Sequence, residues 1–222
     1  MTVKGFIFDL DGVLTDSAEY HYLAWQELGH KIGIAFDRDF NEQLKGVSRM
    51  DSLERILAFG NKSDHYNQAE KEELADEKNE QYKLLINNVS PADLLPGIKE
   101  FLDELKAKGM KLALASASKN GPFLLEKLEI ADYFETVVDP ASLSNGKPDP
   151  EIFVKGAQQL GLPLSECIGV EDAQAGIEAI NAAPMFSVGI GSADSLGSAD
   201  YLVPDTSKLS LEAILQAFNA KQ

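Results

Sequence analysis

Two aspartates separated by one residue follow an apolar segment near the start of the sequence. Val3 and Phe6–Phe8 form a β-branched and aromatic run typical of a buried strand, and Asp9 and Asp11 come directly after it. Carboxylates at the end of a buried strand are costly unless a cation or strong hydrogen bonds compensate their charge. Gly12 then allows a sharp turn. The pattern indicates either a cation-binding loop or an ordinary strand-to-loop junction with solvated aspartates.

A second acidic pair stands in a similar position later in the chain. The run Glu166–Val170 predicts another strand, and Glu171 and Asp172 follow it before a helix that starts near Ala173. Carboxylate oxygens are the ligands that Mg²⁺ prefers. Asp172 is also suited to capping the helix, and capping and metal binding are compatible.

Small, polar and basic residues form two further candidate loops. Ser116–Gly121 combines hydroxyl groups with Lys119 ahead of a helix that begins near Pro122, and free N–H groups at a helix start attract anions. The segment Gly146–Pro150, GKPDP, has prolines on both sides of Asp149 and therefore holds Lys147 in a rigid loop. The alternative for both lysines is ordinary solvated charge.

Strands and helices alternate in the part of the chain that carries these loops. Helices are predicted near 98–108, 122–128, 151–160, 173–181 and 209–218, and strands near 111–115, 136–138, 166–170, 185–188 and 201–203. Residues 18–92 carry only helical patterns, at about 18–32, 37–44, 50–59 and 68–87. We therefore predict an α/β fold: a Rossmann-like parallel-sheet core from residues 1–15 and 93–222, with an inserted all-helical cap at 16–92.

Because ligands gather at the carboxyl ends of strands in open parallel sheets, the acidic and lysine-bearing loops are expected to meet at one edge. The net charge of −16 disfavours nucleic acid and anionic membranes as partners, and a phosphate site would need local cations. A single cysteine, Cys167, and the lack of a long apolar run or a signal-peptide pattern favour a cytoplasmic protein. Nothing in the sequence demands more than a monomer.

Taken together and in this order, the four loops resemble the motif set of the haloacid dehalogenase superfamily of phosphotransferases. FDLDGVLTDS, the contiguous stretch Phe8–Ser17, carries the most specific match. The resemblance implies that Asp9 is a nucleophile that becomes an aspartyl phosphate and that Asp11 is the general acid and base. It also implies a Mg²⁺ ion bound by Asp9, the Asp11 backbone carbonyl, Glu171 and Asp172, with Lys147 steadying the phosphate.

Over almost its entire length the chain resembles the β-phosphoglucomutase family within that superfamily. The matching stretches are FDLDGVLTD, AEYHYLAW, FNEQLKGVSR, DSL, VSPAD, LASASKNGPFLLE and GVEDAQAGI. Such enzymes interconvert β-glucose 1-phosphate and glucose 6-phosphate through β-glucose 1,6-bisphosphate. The implied small-molecule partners are therefore sugar phosphates, and the bisphosphate acts as an activating intermediate.

This chemistry requires a second phosphate site, for which Arg49 is the best candidate in the cap because its guanidinium is planar and multidentate. The alternative for Arg49 and for Lys78 is solvated charge, and for His21 and Trp25 it is packing. Met50, Asp76 and Glu77 depart from the family pattern and leave sugar specificity open. The candidate substrate-binding residues are Ser17, His21, Trp25, Lys45, Gly46, Arg49, Ser52, Lys78, Ser116, Ala117, Ser118, Lys119, Asn120 and Lys147.

Two other functions are compatible with parts of this pattern. A sugar-phosphate phosphatase would also form a phosphorylated Asp9 but would pass the phosphoryl group to water. A catalytically silent phosphate-sensing protein would not require a general acid at Asp11, so the intact motifs argue against it. Since a closing cap excludes water and presents the acceptor, the cap decides between mutase and phosphatase.

Replacing Asp9 by asparagine is expected to abolish phosphoenzyme formation, because the carboxylate nucleophile is lost. Asp11→Asn is expected chiefly to slow transfer to and from sugar oxygens, by about 10²- to 10⁴-fold. Trapping of labelled acyl phosphate on the wild type and both variants measures the first effect. Label trapped on the Asp9→Asn protein would refute the assignment of the nucleophile.

Overall fold

A parallel sheet of six strands, ordered β3-β2-β1-β4-β5-β6, organises the protein. The computed structural model describes residues 2–221. The strands are β1 (Gly5–Phe8), β2 (Lys111–Leu114), β3 (Thr136–Val137), β4 (Cys167–Glu171), β5 (Phe186–Ile190) and β6 (Tyr201–Val203). All five neighbouring pairs run parallel, which confirms the predicted α/β fold with a Rossmann-like sheet.

The helices are distributed as the sequence predicts. Four helices follow β1 in succession, and a fifth then connects them to β2. Those four are α1 (Ala18–Lys31), α2 (Arg38–Asn41), α3 (Arg49–Phe59) and α4 (Gln68–Ile86). The others are α5 (Ile98–Ala107), α6 (Gly121–Lys127), α7 (Glu151–Leu160), α8 (Gln174–Ala182), α9 (Ala193–Leu196) and α10 (Leu211–Lys221). Among residues 2–221, no helix has both the length and the apolar composition needed to cross a membrane.

Both faces of the sheet are covered because successive side chains of each strand point to opposite sides. In β1, Phe6 and Phe8 pack edge-on against Phe101 of α5, with ring centroids 5.9 and 6.3 Å apart. Ile7 points to the other face and belongs to the cluster that contains Phe153 of α7. Helices α5 and α10 cover the first face, and α7 and α8 cover the second.

Helices α1–α4 have an apolar cluster of their own, built around Trp25, Leu53 and Ile56. The base of this helical segment also joins the cluster on one face of the sheet, through Tyr82 and Ile86 of α4. The two chain segments that connect the sheet to helices α1–α4 lie side by side. Thr15 pairs with Leu94 in an isolated bridge, and its hydroxyl donates a 2.7 Å hydrogen bond to the carbonyl oxygen of Asp93. We retain the division at 1–15, 16–92 and 93–222 as a proposal; its end residues Met1 and Gln222 lie outside the described residues.

Several element boundaries differ from those predicted. Glu171, expected just beyond a strand, is its last residue because the ladder between β4 and β5 continues to the pair Glu171–Gly189. The helix expected at 37–44 is α2 followed by a 3₁₀ turn at Glu42–Leu44. Helix α9 was not predicted, because its four residues are too few to give a periodic apolar pattern.

Adding a methyl group at Gly169 in β4 is expected to destabilise the fold. A Cβ atom there would lie 2.6 Å from Cγ1 of Ile180 in α8, so the Ile180 side chain or the helix would have to shift. We expect Gly169→Ala to lower the free energy of unfolding by about 1–3 kcal/mol in urea titrations. Gly146→Ala is the matched control, since its Cβ would meet its nearest neighbour, an Asp51 oxygen, at an ordinary 3.5 Å. Equal unfolding midpoints for the two variants would contradict this packing argument.

Candidate active site

A buried lysine joins two acids at the carboxyl edge of the sheet. Nζ of Lys147 lies 2.6 Å from Oδ1 of Asp9, at the end of β1, and 2.7 Å from Oε2 of Glu171, at the end of β4. All three side chains are at most 5% exposed. Burial lowers the pKa of Lys147, but the two carboxylates outweigh it and raise the pKa above its usual value. The ammonium ion therefore compensates the buried acids, and the alternative of a solvated surface lysine is wrong.

Asp9, Glu171 and Asp172 form a cluster in which one carboxylate oxygen from each lies within 4.8 Å of the others. Burial, together with the charge of neighbouring carboxylates, raises the pKa of Glu171 and of Asp172. Three acids facing one lysine leave an excess of negative charge, and an all-oxygen donor set suits Mg²⁺. The cluster therefore fits a divalent cation of this type.

The two acids of the second pair are held differently. Oε1 of Glu171 accepts backbone hydrogen bonds from Asp172 and Ala173, at 3.1 and 3.2 Å, which complete its environment beside Lys147. Asp172 lies over Gly12, where a Cβ atom would come within 2.0 Å of Oδ2 of Asp172. The N-cap of α8 is Ala173, so the alternative that Asp172 caps this helix is wrong. Its carboxylate faces the cluster instead.

Asp11 lies beside the cluster and has an environment suited to proton transfer. The Ser17 hydroxyl, which is buried, donates a hydrogen bond to Oδ1 of Asp11. Nε2 of His21 lies 3.7 Å from Oδ2 of Asp11. Burial and the charge of Asp9 raise the pKa of Asp11 to about 7. A carboxyl group with a pKa near neutrality can both give and take a proton at physiological pH.

Lys78 reaches Asp11 indirectly, through His21. Its Nζ lies 2.7 Å from Nδ1 of His21, and the ring of Tyr82 stacks on His21 with centroids 3.9 Å apart. Burial and the charge of Lys78 hold the pKa of His21 well below its usual value, so the ring is neutral. Neutral Nδ1 then accepts from the lysine, and Nε2 carries the proton that faces Asp11. Lys78 is only 2% exposed, so the alternative of solvated helix charge is wrong for this residue.

A cavity of about 400 Å³ lies between this edge of the sheet and the helical segment. Most of the predicted site residues line it: Asp9, Asp11, His21, Trp25, Lys45, Gly46, Arg49, Ser52, Lys78, Ala117, Ser118, Lys119, Asn120 and Asp172. Four others, Ser17, Ser116, Lys147 and Glu171, are not part of the lining and are buried. The helical segment contributes further lining residues that are not among the predicted binding residues, including Val47, Ser48 and Asn79.

The loop after β2 is shaped by its own hydroxyl groups. The backbone N–H of Ser118 donates to the Ser116 hydroxyl at 3.1 Å, and that of Asn120 donates to the Ser118 hydroxyl at 3.3 Å. These bonds hold the loop in a tight turn before α6. On the opposite wall, Gly46 has a positive φ of 71°, and a Cβ atom there would lie 3.2 Å from Cβ of Ala173. The loop with Lys45 and Gly46 therefore reaches the sheet side of the cavity, where a larger side chain would not fit.

Arg49, the first residue of α3, faces the same cavity. Its Nη1 lies 3.3 Å from Oδ1 of Asp76, and its Nη2 donates a 2.9 Å hydrogen bond to Oδ1 of Asn79. The Arg49 side chain is 20% exposed, so it is partly buried rather than fully solvated. The cavity thus has a guanidinium group in its helical wall and the acids with Lys147 at its sheet edge.

Comparisons with known proteins agree with this geometry. Residues 3–184 match the profile of the haloacid dehalogenase-like hydrolase family, and the chain therefore belongs to that family. It is 50% identical to the β-phosphoglucomutase of Bacillus subtilis, over 96% of this chain and 94% of that protein. The crystal structure of β-phosphoglucomutase from Clostridium difficile superposes with a TM-score of 0.97 at 48% identity, covering 99% of both chains. The predicted resemblance to the β-phosphoglucomutases is confirmed.

A phosphatase is also among the relatives. The fructose-1-phosphate phosphatase YqaB of Escherichia coli is 32% identical to this chain over 84% of its length and 95% of the relative. The identity is lower than with the B. subtilis mutase, so the phosphatase alternative has less support.

Replacing Lys78 by methionine is expected to change the pH dependence of stability. Burial and the charge of Arg49 lower the pKa of Lys78 from 10.5 to about 7 in the folded protein. The unfolded chain therefore binds more protons than the folded one between these values, and the wild type gains stability as the pH rises through them. The stability of Lys78→Met relative to wild type should thus be greatest near pH 7 and should decrease towards pH 10, on the order of 1 kcal/mol per pH unit.

Chemical denaturation over this pH range measures the difference. Lys83→Met on the same helix is the control, because the Lys83 side chain is half exposed. A stability difference between Lys78→Met and wild type that stays constant with pH would contradict the buried, destabilised ammonium ion.

Proposed function

We propose that this chain is a Mg²⁺-dependent β-phosphoglucomutase. It interconverts β-D-glucose 1-phosphate and D-glucose 6-phosphate through a phosphorylated Asp9 and β-D-glucose 1,6-bisphosphate. One observation carries the proposal: a single cavity is lined by Asp9 and Asp11 and also by Arg49 of the helical segment. A substrate that is phosphorylated in turn at both ends needs a reacting site and a second phosphate site within one cavity.

Asp9 is the nucleophile. Its carboxylate oxygen forms a bond to phosphorus while the bond between phosphorus and the sugar oxygen breaks, and Asp11 gives its proton to that oxygen. In the reverse transfer Asp11 takes the proton of the attacking sugar hydroxyl, and the phosphoryl group leaves Asp9. The contact with Lys147 supports this role, because an ammonium ion 2.6 Å away offsets the charge of the Asp9 carboxylate and fixes its orientation.

The metal would be held by the side chains of Asp9, Glu171 and Asp172 and by the backbone carbonyl of Asp11. When bound, Mg²⁺ neutralises phosphate charge that the acidic cluster would otherwise repel. The protein itself carries a net charge of −16, so local cations at Lys147, Lys45 and Arg49 are needed to bring a phosphate to this edge.

Asp11 serves as general acid and base, and its neighbours tune it. Its pKa of about 7 allows either protonation state near neutral pH. The Ser17 hydroxyl fixes one carboxylate oxygen, and the neutral His21 faces the other. Lys78 orients His21 through the 2.7 Å contact with Nδ1. Proton transfer by Asp11 then depends on the position of the helical segment that carries His21 and Lys78.

The second phosphate is bound by Arg49 with Ser118, Lys119 and Asn120, and the sugar lies between the two sites. Ser52, Lys45 and Gly46 contribute from the helical wall, and Trp25 forms an apolar part of the lining. Ala117 contributes from the loop after β2, and the buried Ser116 holds that loop through its bond with the Ser118 N–H. Closure of the helical segment over this cavity would favour a sugar hydroxyl over water as acceptor, which distinguishes a mutase from a phosphatase. We further propose that the protein is a cytoplasmic monomer whose partners are sugar phosphates.

One coupled assay tests this function. The protein is supplied with β-glucose 1-phosphate, Mg²⁺ and a trace of β-glucose 1,6-bisphosphate, and both glucose 6-phosphate and free phosphate are followed. We expect sustained glucose 6-phosphate with little free phosphate, and no turnover by Asp9→Asn. Sustained free phosphate without isomerisation would support the phosphatase instead, and neither product would support the silent phosphate-sensing protein.

Replacing Arg49 by lysine is expected to reduce kcat/KM for the mutase reaction by about 10- to 100-fold, because a single ammonium ion cannot reproduce bidentate phosphate binding. Arg55→Lys is the matched control on the same helix, where the guanidinium donates to the backbone carbonyl oxygen of Gln43. Equal kcat/KM values for the two variants would rule out Arg49 as the second phosphate site.

A further inference from the structure

Asn79 in α4 accepts hydrogen bonds from both walls of the cavity with one atom. Its Oδ1 lies 2.9 Å from Nη2 of Arg49 and 3.0 Å from Nδ2 of Asn120. Arg49 and Asn79 belong to the helical segment, whereas Asn120 lies on the sheet side, at the N-cap of α6. A carboxamide oxygen has two lone pairs, so these two donors use its full accepting capacity. The Asn79 oxygen therefore links the helical segment to the sheet side of the cavity.

A second residue of α4 holds Arg49 but does not bridge the cavity in this way. Asp76 lies one helical turn before Asn79 and approaches Nη1 of Arg49 at 3.3 Å, with its own side chain 80% exposed. The pair of contacts fixes the plane of the guanidinium, because Nη1 and Nη2 each have one partner on α4. The two partners differ in charge: Asp76 offsets part of the positive charge of Arg49, whereas the neutral Asn79 orients it and leaves the charge available.

We propose that Asn79 is a positioning residue that couples closure of the helical segment to assembly of the second phosphate site. When the segment is closed, the Asn79 oxygen sets the orientation of Arg49 and Asn120 together, so the remaining N–H groups of both face a single anion. When it opens, the contact with Asn120 is lost and the donors separate. This inference rests on the proposed function, since it concerns the site assigned there to the distal phosphate of a sugar phosphate.

The test is a double-mutant cycle between Asn79→Ala and Asn120→Ala. For the mutase reaction we measure KM, kcat and the ratio of free phosphate to glucose 6-phosphate. We expect each single variant to raise KM by about 3- to 10-fold, with kcat less affected. The increase in KM of the double variant should be smaller than the product of the two single increases by a similar factor, because both substitutions remove the same hydrogen bond. The free-phosphate ratio should rise in Asn79→Ala, since a looser segment admits water.

Asp76→Asn paired with Asn120→Ala is the matched control cycle. Asp76 contacts the same guanidinium from the same helix, so its effect on KM should multiply with that of Asn120→Ala. Asn79→Asp is a second variant that retains an acceptor oxygen for Asn120 while adding negative charge beside Arg49. It should weaken sugar-phosphate binding but leave the free-phosphate ratio near that of the wild type. Thermal unfolding of each variant verifies that it is folded.

The same cycle on equilibrium binding of D-glucose 6-phosphate, measured by calorimetry, separates the two proposals. If the wild type does not convert β-glucose 1-phosphate to glucose 6-phosphate, the proposed function fails, and the binding cycle still decides the coupling. Coupling between Asn79 and Asn120 that exceeds the control cycle supports the inference. Effects on binding that multiply in both cycles, or a loss of activity confined to kcat, would overturn the inference.

Discussion

The contact of Lys147 with Asp9 and Glu171 is the constraint on which the site depends. Three side chains with charges are almost fully removed from water, and such a group is tolerated only when its members compensate one another at hydrogen-bond distance. The contact joins the end of β1, the end of β4 and the loop before α7 in one place. It also leaves the cluster with more acid than base, because Asp172 is added to the same group. A divalent cation would offset that excess of negative charge, and the cation would then attract a phosphate to the cluster.

The helical segment adds what the sheet edge lacks. The sheet provides fixed acids and a fixed lysine, whereas α1, α3 and α4 bring His21, Arg49 and Lys78 to the other side of the cavity. Two adjacent connections, tied at Thr15 and Leu94, join the segment to the sheet. In the proposed mechanism the segment closes over the cavity about that point. Proton transfer by Asp11 and binding of a distal phosphate would then both depend on closure. In a mutase this dependence protects the phosphorylated aspartate from water until a sugar is present.

The sequence does not predict which charged and polar side chains are buried. Lys78 sits in a heavily charged helix, where solvated charge was the alternative to a role in the site, yet its amine packs over the rings of Trp25 and Tyr82 at 4.8 Å. Asn79 had no chemical signature beyond following Lys78. Its role as a shared acceptor depends on Arg49 and Asn120, which lie 30 and 41 residues away in the sequence. Local patterns carry no information about such contacts, since long-range packing decides them.

The order of strands and helices, the parallel sheet and the acids at its carboxyl edge were determined by the sequence itself. Apolar periodicity and the rule that parallel strands present one edge to ligands are local or topological properties, and the four motifs are contiguous enough to be read directly. Only the tertiary structure decided that Asp172 faces the acidic cluster rather than capping α8, and that Lys78 is buried against His21. It also decided that Arg49 is held by both Asp76 and Asn79. The physical reason is that a side chain's charge state and partners depend on desolvation and on residues distant in the chain, which its own segment does not specify.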